Sequence, residues 1–309
     1  MTKAKHLLDL DDADRPFIEA LIARARQYKH GVPNENLRLR GRIVLGMFFE
    51  TSTRTTTSFA VAAQRLGAAY TDFRTDGSSL AKGESLEDTM RTVQAIGADA
   101  LVVRHREAGF PHALARHFDG VVINAGDGAH AHPTQGLLDA MTLVEEFGDL
   151  KDRRLVICGD IKHSRVARSS ARASALLGAR VTLCGPPSLL PLSAPGWGFA
   201  DLSNDLEAAF ADADAVMLLR VQKERAQGDD LPPYEDLAKS YGLNQARLHL
   251  LPAHCIIMHP GPANRDVEIA SGLMRHERSR IERQVENGVY IRMAVLEKTL
   301  GAVQRDRVA

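Results

Sequence analysis

The sequence predicts an α/β protein with two doubly wound parallel-sheet domains that two interdomain helices link. Short, wholly apolar runs alternate along the chain with segments whose apolar residues recur every three or four positions. Several of these helical segments end at a glycine, which is a common helix stop: Gly67, Gly97, Gly148 and Gly178. The chain has 309 residues, and ~150 residues per domain suggests two domains.

The first predicted strand is Ile43–Phe49, whose unbroken apolar character suits a strand buried on both faces of a parallel sheet. Further strands are predicted at 98–103, 120–125, 154–158, 180–184, 215–219 and 255–258. Helices are predicted after the first strand, through Phe59 to Leu66, and at 86–96, 133–147, 165–177, 205–211 and 278–301. We expect a first domain over 1–133, to which a C-terminal helix at about 279–309 returns, and a second domain over 134–278.

Composition excludes several classes of protein. Lys and Arg total 39, as do Asp and Glu, so no broad basic surface for nucleic acid is expected. The cysteines Cys158, Cys184 and Cys255 lie far apart, without a Cys-x-x-Cys pair, which fits a reducing compartment. No apolar stretch is long enough for a signal peptide or a membrane span. We therefore expect a cytoplasmic protein that binds neither nucleic acid nor membrane.

A hydroxyl-rich segment follows the first strand, where the chain passes into a helix. Residues 50–58 read Glu-Thr-Ser-Thr-Arg-Thr-Thr-Thr-Ser, and unpaired N–H groups at a helix start favour anions. Arg54 adds a planar fork that matches phosphate. The alternative interpretation is a plain N-cap, which needs one hydroxyl and no arginine. No G-x-x-x-x-G-K-[ST] or G-x-G-x-x-G motif occurs, so neither a nucleoside triphosphatase nor a nicotinamide dehydrogenase is supported.

Five segments resemble the carbamoyltransferase family. Phe49–Thr55 is similar to its Ser-Thr-Arg-Thr motif, and His132–Gln135 to its His-Pro-Thr-Gln motif. Three more resemble the aspartate-specific members: Gly159–Arg165, Arg220–Arg225 and His259–Arg265. Ornithine-specific members resemble the first half equally well, but they carry His-Cys-Leu-Pro where this chain has His-Pro-Gly-Pro.

The resemblance implies attack of the L-aspartate amine on carbamoyl phosphate, which gives N-carbamoyl-L-aspartate and phosphate, the second step of de novo pyrimidine synthesis. By resemblance, Arg54, Thr55, Lys82, Arg104 and His132 are the catalytic residues. The implied carbamoyl phosphate ligands are Ser52, Thr53, Arg54, Thr55, Ser78, Lys82, Arg104, His132, Gln135, Gly261 and Pro262. The implied aspartate ligands are Lys82, Arg165, Arg220 and Gln222.

The resemblance also implies a homotrimer with shared sites, because the loop that carries Lys82 and Ser78 reaches a neighbouring subunit's site in the family. Ser79 is nearly as good a candidate as Ser78. The sequence leaves open whether regulatory chains or a dihydroorotase-like partner attach. Rival functions are transfer to ornithine or an acetylated amino acid, and a catalytically silent scaffold subunit.

No metal or other cofactor is expected in the reaction. His130 and His132 alternate in Ala-His-Ala-His-Pro, but as a metal pair they lack a third ligand at a usual spacing. Cys255, between His254 and His259, is expected to be a buried strand residue without special reactivity.

Overall fold

The computed structural model describes residues 6–31, 38–73, 84–191, 197–221 and 233–301. The predicted ligands Ser78, Lys82 and Gln222, and the alternative Ser79, lie outside the described residues. The chain divides into two compact units. The first comprises Met1–Asp12, Glu19–Thr134 and Asn287–Ala309, and the second comprises Ala13–Ile18 and Gln135–Glu286.

The first unit is built around a four-stranded parallel sheet of order β2-β1-β3-β4. Its strands are β1 (Ile43–Phe48), β2 (Ala69–Asp72), β3 (Ala100–His105) and β4 (Val121–Asp127). The helices are α1 (Arg15–Lys29), which begins in the second unit, α2 (Thr53–Arg65), α3 (Leu86–Ile96) and α4 (Phe110–Ala115). The inner strands β1 and β3 are almost wholly buried, and their apolar side chains pack on Met90, Val93 and Leu114 of the flanking helices.

The second unit holds a five-stranded parallel sheet of order β7-β6-β5-β8-β9. Its strands are β5 (Arg154–Cys158), β6 (Arg180–Cys184), β7 (Ala200–Ser203), β8 (Ala215–Leu218) and β9 (Ile256–Met258). The helices are α5 (Pro133–Phe147), α6 (Arg165–Leu176), α7 (Leu206–Ala211), α8 (Tyr234–Tyr241), α9 (Gln245–Leu248) and α10 (Ile281–Gly301), of which α5 and α10 also contribute residues to the first unit. No helix in the described ranges is long and apolar enough to cross a membrane.

The predicted fold class is confirmed, and the four glycine stops are found where expected. Gly67, Gly97, Gly148 and Gly178 have φ of 76°, 96°, 75° and 98°, the left-handed conformation that glycine adopts without strain. Sequence analysis missed the edge strands β2 and β7, because both are short and largely exposed and therefore carry no apolar run. It also missed α1 and the short helices α4, α8 and α9.

Each sheet has a point at which the chain reverses its direction of strand addition. In the first sheet, β2 and β3 lie on opposite sides of β1, so this point lies between β1 and β3. In the second sheet, β6 and β8 lie on opposite sides of β5, so the corresponding point lies between β5 and β8. In open α/β sheets, loops after the carboxyl ends of such strand pairs diverge and leave a crevice for ligands.

Candidate active site

The hydroxyl-rich segment lies at the carboxyl end of β1, beside the reversal point of the first sheet. Ser52 is the N-cap residue of α2, but its side chain makes no cap hydrogen bond. The simple capping interpretation therefore fails for Ser52, and its hydroxyl is not used to close the helix start. Thr55 is buried, whereas Thr53 and Arg54 are exposed in the first turn. The turn thus presents hydroxyls, a guanidinium and helix-start N–H groups, which together suit a phosphate.

Arg104 lies at the carboxyl end of β3, on the other side of the same reversal point. It is the register partner of Phe48, and the Phe49 amide donates to its carbonyl oxygen at 2.9 Å. The Arg104 guanidinium lies 3.3 Å from a Glu50 carboxylate oxygen and donates to the Ala125 carbonyl oxygen at 3.3 Å. These contacts hold Arg104, only 15% exposed, beside the segment that begins α2.

Sequence analysis did not assign Glu50 a role. The sequence did contain an indication of a role for Glu50. An acidic residue between a buried strand and a predicted anion-binding segment would repel the anion, so it is expected there only if its carboxylate has another partner. In the structure the Glu50 carboxylate lies 3.3 Å from the Arg104 guanidinium, so it is paired with this arginine.

His132 ends the loop between β4 and α5 and is almost completely buried. A bridge between Asp127 and Ala131 closes this loop, in which the Asp127 amide donates to the Ala131 carbonyl oxygen at 3.1 Å. Pro133 follows as the first residue of α5, a position where its missing N–H costs no helical hydrogen bond. His132 is therefore set by a closed loop on one side and by a helix start on the other.

Gln135, in the first turn of α5, is oriented by a buried carboxylate one turn later. Its amide nitrogen donates to Asp139 Oδ1 at 2.9 Å. The same Oδ1 accepts from the Gln284 amide at 2.8 Å, and Oδ2 accepts from the Ser170 hydroxyl at 2.5 Å. Because Asp139 fixes the nitrogen end of Gln135, the amide oxygen is the end left to accept a hydrogen bond. Sequence analysis missed Asp139, although its spacing of four residues from Gln135 on a helix was the available signal.

Arg165 and Arg220 follow the strands that flank the reversal point of the second sheet. Arg165 begins α6, whose N-cap Ser164 accepts from the Ala167 amide at 3.1 Å. The loop before it is fixed by Asp160, which lies 2.9 Å from His163 Nδ1. Arg165 is only 2% exposed, and a buried guanidinium is stable only with anionic or hydrogen-bonding partners. Arg220 follows β8 and is half-buried.

The segment after β9 is built around His259, which is 1% exposed. Its Nδ1 accepts from the Gly261 amide at 2.8 Å, which places the ring proton on Nε2, 3.2 Å from Glu268. The His259 amide donates to the Gln284 side-chain oxygen at 2.9 Å, so Gln284 joins this segment to Asp139. Gly261 and Pro262, two of the predicted ligands, thus follow a histidine that hydrogen bonds hold in place. Sequence analysis missed Gln284, which connects this segment through Asp139 to Gln135.

The three thiols lie in or next to the second sheet and are buried and unoxidised. Cys158 on β5 is paired in register with Cys184 on β6. A hydrogen bond with the Cys184 thiol and burial raise the pKa of Cys158 well above its usual range. Burial raises the pKa of Cys255 to about 12. Neither Cys158 nor Cys255 is a nucleophile near neutral pH, because the reactive form is the thiolate.

Comparison with known proteins assigns both halves of the chain. The family described as "Aspartate/ornithine carbamoyltransferase, carbamoyl-P binding domain" matches residues 5–145. The companion family, "Asp/Orn binding domain", matches residues 151–299. The aspartate carbamoyltransferase catalytic subunit of Chloroflexus aggregans is 48% identical over 97% of this chain and 99% of its own. That of Myxococcus xanthus is 47% identical over 95% of this chain and 98% of its own.

Solved structures agree with this assignment. Aspartate transcarbamoylase from Trypanosoma cruzi, in complex with N-(phosphonacetyl)-L-aspartic acid, superposes with a TM-score of 0.85 at 30% identity, over 95% of each chain. Ornithine carbamoyltransferase from Thermus thermophilus has a TM-score of 0.84 at 26% identity, over 97% of this chain and all of the other. The chain belongs to the aspartate/ornithine carbamoyltransferase family.

Proposed function

We propose that this chain transfers the carbamoyl group of carbamoyl phosphate to the amine of L-aspartate, with N-carbamoyl-L-aspartate and phosphate as products. The observation that carries the proposal is chemical: the reversal point of one sheet has hydroxyls with Arg54 and Arg104, and that of the other has Arg165 and Arg220. A phosphate and a dicarboxylic amino acid are the anions that these two sets fit. The aspartate carbamoyltransferase relatives, 46% to 52% identical, support the same acceptor.

The phosphate end of carbamoyl phosphate is assigned to the start of α2. Ser52, Thr53 and Thr55 supply hydroxyl donors, and Arg54 supplies the guanidinium fork. The hydroxyls hydrogen-bond to the phosphate oxygens, the Arg54 guanidinium offsets part of their charge, and both stabilise the phosphate further as charge builds on the leaving oxygen.

The carbamoyl end is assigned to Thr55, Arg104, His132 and Gln135. The first three donate to the carbonyl oxygen as it becomes an oxyanion, and the Gln135 amide oxygen accepts from the carbamoyl NH₂. The orientation of Gln135 imposed by Asp139 supports this last role. The amine nitrogen then bonds to the carbamoyl carbon, the bond from that carbon to the phosphate oxygen breaks, and the departing phosphate takes up the amine proton.

Aspartate is assigned to Arg165 for its α-carboxylate and to Arg220 with Gln222 for its side-chain carboxylate. Carbonyl oxygens of the segment at Pro260 and Gly261 are proposed to accept from the amide and amine groups. Ornithine carries no second carboxylate, so an arginine devoted to that group favours aspartate over ornithine.

The acceptor assignment is tested with a panel of acceptors and the variant Arg220→Ala. Aspartate should support phosphate release, while ornithine and N-acetylornithine should not. Arg220→Ala should raise KM for aspartate by roughly 10- to 100-fold, the value of a hydrogen bond to a charged group, and change KM for carbamoyl phosphate far less. Arg180→Ala is the matched control, because Arg180 begins β6 at the opposite end of the same sheet. Equal loss of both substrates would refute the assignment of Arg220.

The phosphate assignment is tested with Arg54→Ala. Turnover should fall by at least ~10²–10³, as when one oxyanion donor is lost. Arg65→Ala, at the other end of α2, is the control and should retain near-normal turnover. Turnover of Arg54→Ala within threefold of the unmodified enzyme would exclude Arg54 from the site.

We also propose a cytoplasmic homotrimer in which Lys82, with Ser78 or Ser79, completes a neighbouring subunit's site. The free thiols support a reducing compartment, and the trimer rests on resemblance to the family. Mixing inactive Lys82→Ala and Arg54→Ala proteins should restore part of the activity, because some hybrid sites then contain both residues. Absence of recovery after demonstrated subunit exchange would argue for self-contained sites.

A further inference from the structure

A cluster of two histidines and three aspartates lies in the first unit, in and around the loop that precedes His132, and includes none of the residues assigned to the substrates. His112 is on α4, Asp127 ends β4, and His130 is in the loop that follows. Asp9 and Asp11 come from the N-terminal segment, which pairs with β4 through a parallel bridge between Leu7 and Ile123. Four stretches of chain therefore bring metal-ligating side chains to one place.

Three of these side chains already have the spacing of metal ligands. His112, Asp127 and His130 each offer one ligand atom, and the three atoms lie within 4.8 Å of one another. His130 Nδ1 is 3.0 Å from Asp127 Oδ2 and 3.2 Å from Oδ1. In a tetrahedral zinc site, bonds of ~2.0–2.2 Å place neighbouring ligand atoms about 3.4 Å apart, so only small movements are needed.

His112 is held in the way that a metal-binding histidine usually is. Its Nε2 lies 2.9 Å from Asp9 Oδ2. Its Nδ1 is buried and has no hydrogen-bond partner among the residues that the structure describes. A carboxylate on one ring nitrogen fixes the orientation of the ring and raises the basicity of the other nitrogen. The unpartnered Nδ1 is therefore the nitrogen available to an ion.

The charge and rigidity of the cluster also favour a cation. Asp127 is 0% exposed, and Asn124 Nδ2 and the Gly109 amide each donate to it at 2.7 Å. Asp9, Asp11 and His130 form a second group whose ligand atoms lie within 4.8 Å. Three carboxylates around two imidazoles leave net negative charge once the imidazoles are neutral, which is their state when they bind metal.

We propose that His112, Asp127 and His130 form a binding site for one divalent transition ion of the zinc type, with Asp9 orienting His112. Two nitrogens and a carboxylate oxygen suit Zn²⁺ and Co²⁺ better than Mg²⁺ or Ca²⁺, which prefer all-oxygen sites. A water or Asp11 supplies the fourth ligand. The ion takes no part in the transfer reaction; it fixes the loop closed by the Ala131 amide, which donates to Asp127 Oδ1 at 3.1 Å.

Co²⁺ titration of the chelator-treated full-length chain tests the site. Visible d–d absorption and calorimetry should report one high-affinity ion per chain, and Zn²⁺ should displace it. His112→Gln and His130→Gln should each weaken Co²⁺ binding more than tenfold. Asp9→Asn should weaken it ~10- to 100-fold, the usual effect of removing a carboxylate behind a ligating histidine. His117→Gln is the matched control, because His117 lies exposed just after α4 and belongs to neither group.

Circular dichroism and the thermal midpoint without metal establish whether each variant folds. If a histidine variant does not fold, Asp9→Asn still tests the site, because asparagine has the shape of the aspartate it replaces and the side chain is partly exposed. Zinc should raise the thermal midpoint of the unmodified chain but not that of His112→Gln. The proposal is overturned if the unmodified chain binds no more tightly than the folded His112→Gln and His130→Gln variants. It is equally overturned by a sulfur-to-cobalt charge-transfer band, which would place the ion at the cysteines.

Discussion

Asp139→Asn should weaken both the fold of the second unit and the orientation of Gln135. The Asp139 carboxylate is 1% exposed and accepts from Gln135 at 2.9 Å, Gln284 at 2.8 Å and Ser170 at 2.5 Å. Asparagine has the same shape but retains only one acceptor oxygen. If that oxygen stays with the two glutamines, the new NH₂ group faces Ser170, whose hydroxyl can rotate to accept.

The expected loss of stability in Asp139→Asn comes from the loss of the carboxylate charge, because no donor is left without an acceptor. A hydrogen bond to a charged group contributes ~1.5–3 kcal/mol and a neutral one ~0.5–1.5 kcal/mol. Three bonds weakened in this way, with partial relaxation, give a loss of about 2–3 kcal/mol in the free energy of unfolding. Asp139→Leu should lose more, because it leaves three buried donors without an acceptor.

The assay pairs urea unfolding with initial rates at varied carbamoyl phosphate. In Asp139→Asn the bond that holds the Gln135 nitrogen is weakened, so the Gln135 amide turns its nitrogen toward the carbamoyl NH₂ in a larger fraction of molecules. kcat should therefore fall by up to about tenfold, equivalent to ~1.4 kcal/mol. Thr142→Val is the matched control: it removes a buried hydroxyl bonded to the Leu138 carbonyl oxygen on the same helix. It should reduce stability with kcat unchanged. Full kcat in a destabilised Asp139→Asn would refute the positioning of Gln135 by Asp139.

Three further predictions concern the other contacts described. Glu50→Gln should loosen Arg104 and lower kcat/KM for carbamoyl phosphate severalfold, measured by phosphate release; an unchanged value would show that Glu50 does not position Arg104. Gly97→Ala, at φ 96°, should cost ~1–2 kcal/mol in urea unfolding, whereas Gly272→Ala, with open space around it, should cost little; equal losses would contradict the role of φ. Hydrogen bonds from Arg280 lower the pKa of Glu146 from its ordinary 4.5, so its stabilisation is present above that pH and is lost as the pH falls through the lowered pKa. Between neutral pH and pH ~3, the free energy of unfolding should therefore fall by about 1 kcal/mol less in Glu146→Gln than in the unmodified chain. Parallel curves of unfolding free energy against pH would show that the Glu146–Arg280 pair contributes nothing to this loss.

The parts of the fold that the sequence predicted are those with a local cause. A buried parallel strand such as β5 needs an unbroken apolar run, and its predicted bounds, 154–158, are those observed. A helix that ends in the left-handed conformation needs a residue such as Gly97 at that position. The strands β2 and β7 have no such local cause, because backbone pairing with a buried neighbour makes them strands.

The site divides in the same way. The proposed phosphate-binding segment could be predicted around Arg54, because several hydroxyls and an arginine at a helix start form a local pattern. The residues that orient the proposed ligand-binding side chains could not be predicted in this way, because Asp139 and Gln284 are in contact although 145 positions separate them in the sequence. Sequence analysis considered His130 and His132 as a metal pair without a third ligand, and it did not consider His112 and Asp127, whose ligand atoms come near that of His130 only in the fold. Contacts of this kind depend on the register of packed elements, which no short pattern encodes.

The N-terminal segment that pairs with β4 matters for the handling of fragments of this protein. The Leu7 amide donates to the Val122 carbonyl oxygen at 3.0 Å, and the Asn124 amide donates to the Leu7 carbonyl oxygen at 2.8 Å, so the segment covers the outer strand of the first sheet. A fragment that starts at residue 13 would leave that strand open to edge-to-edge association. Such a fragment should aggregate more readily at high concentration, even with every proposed substrate ligand still in the chain.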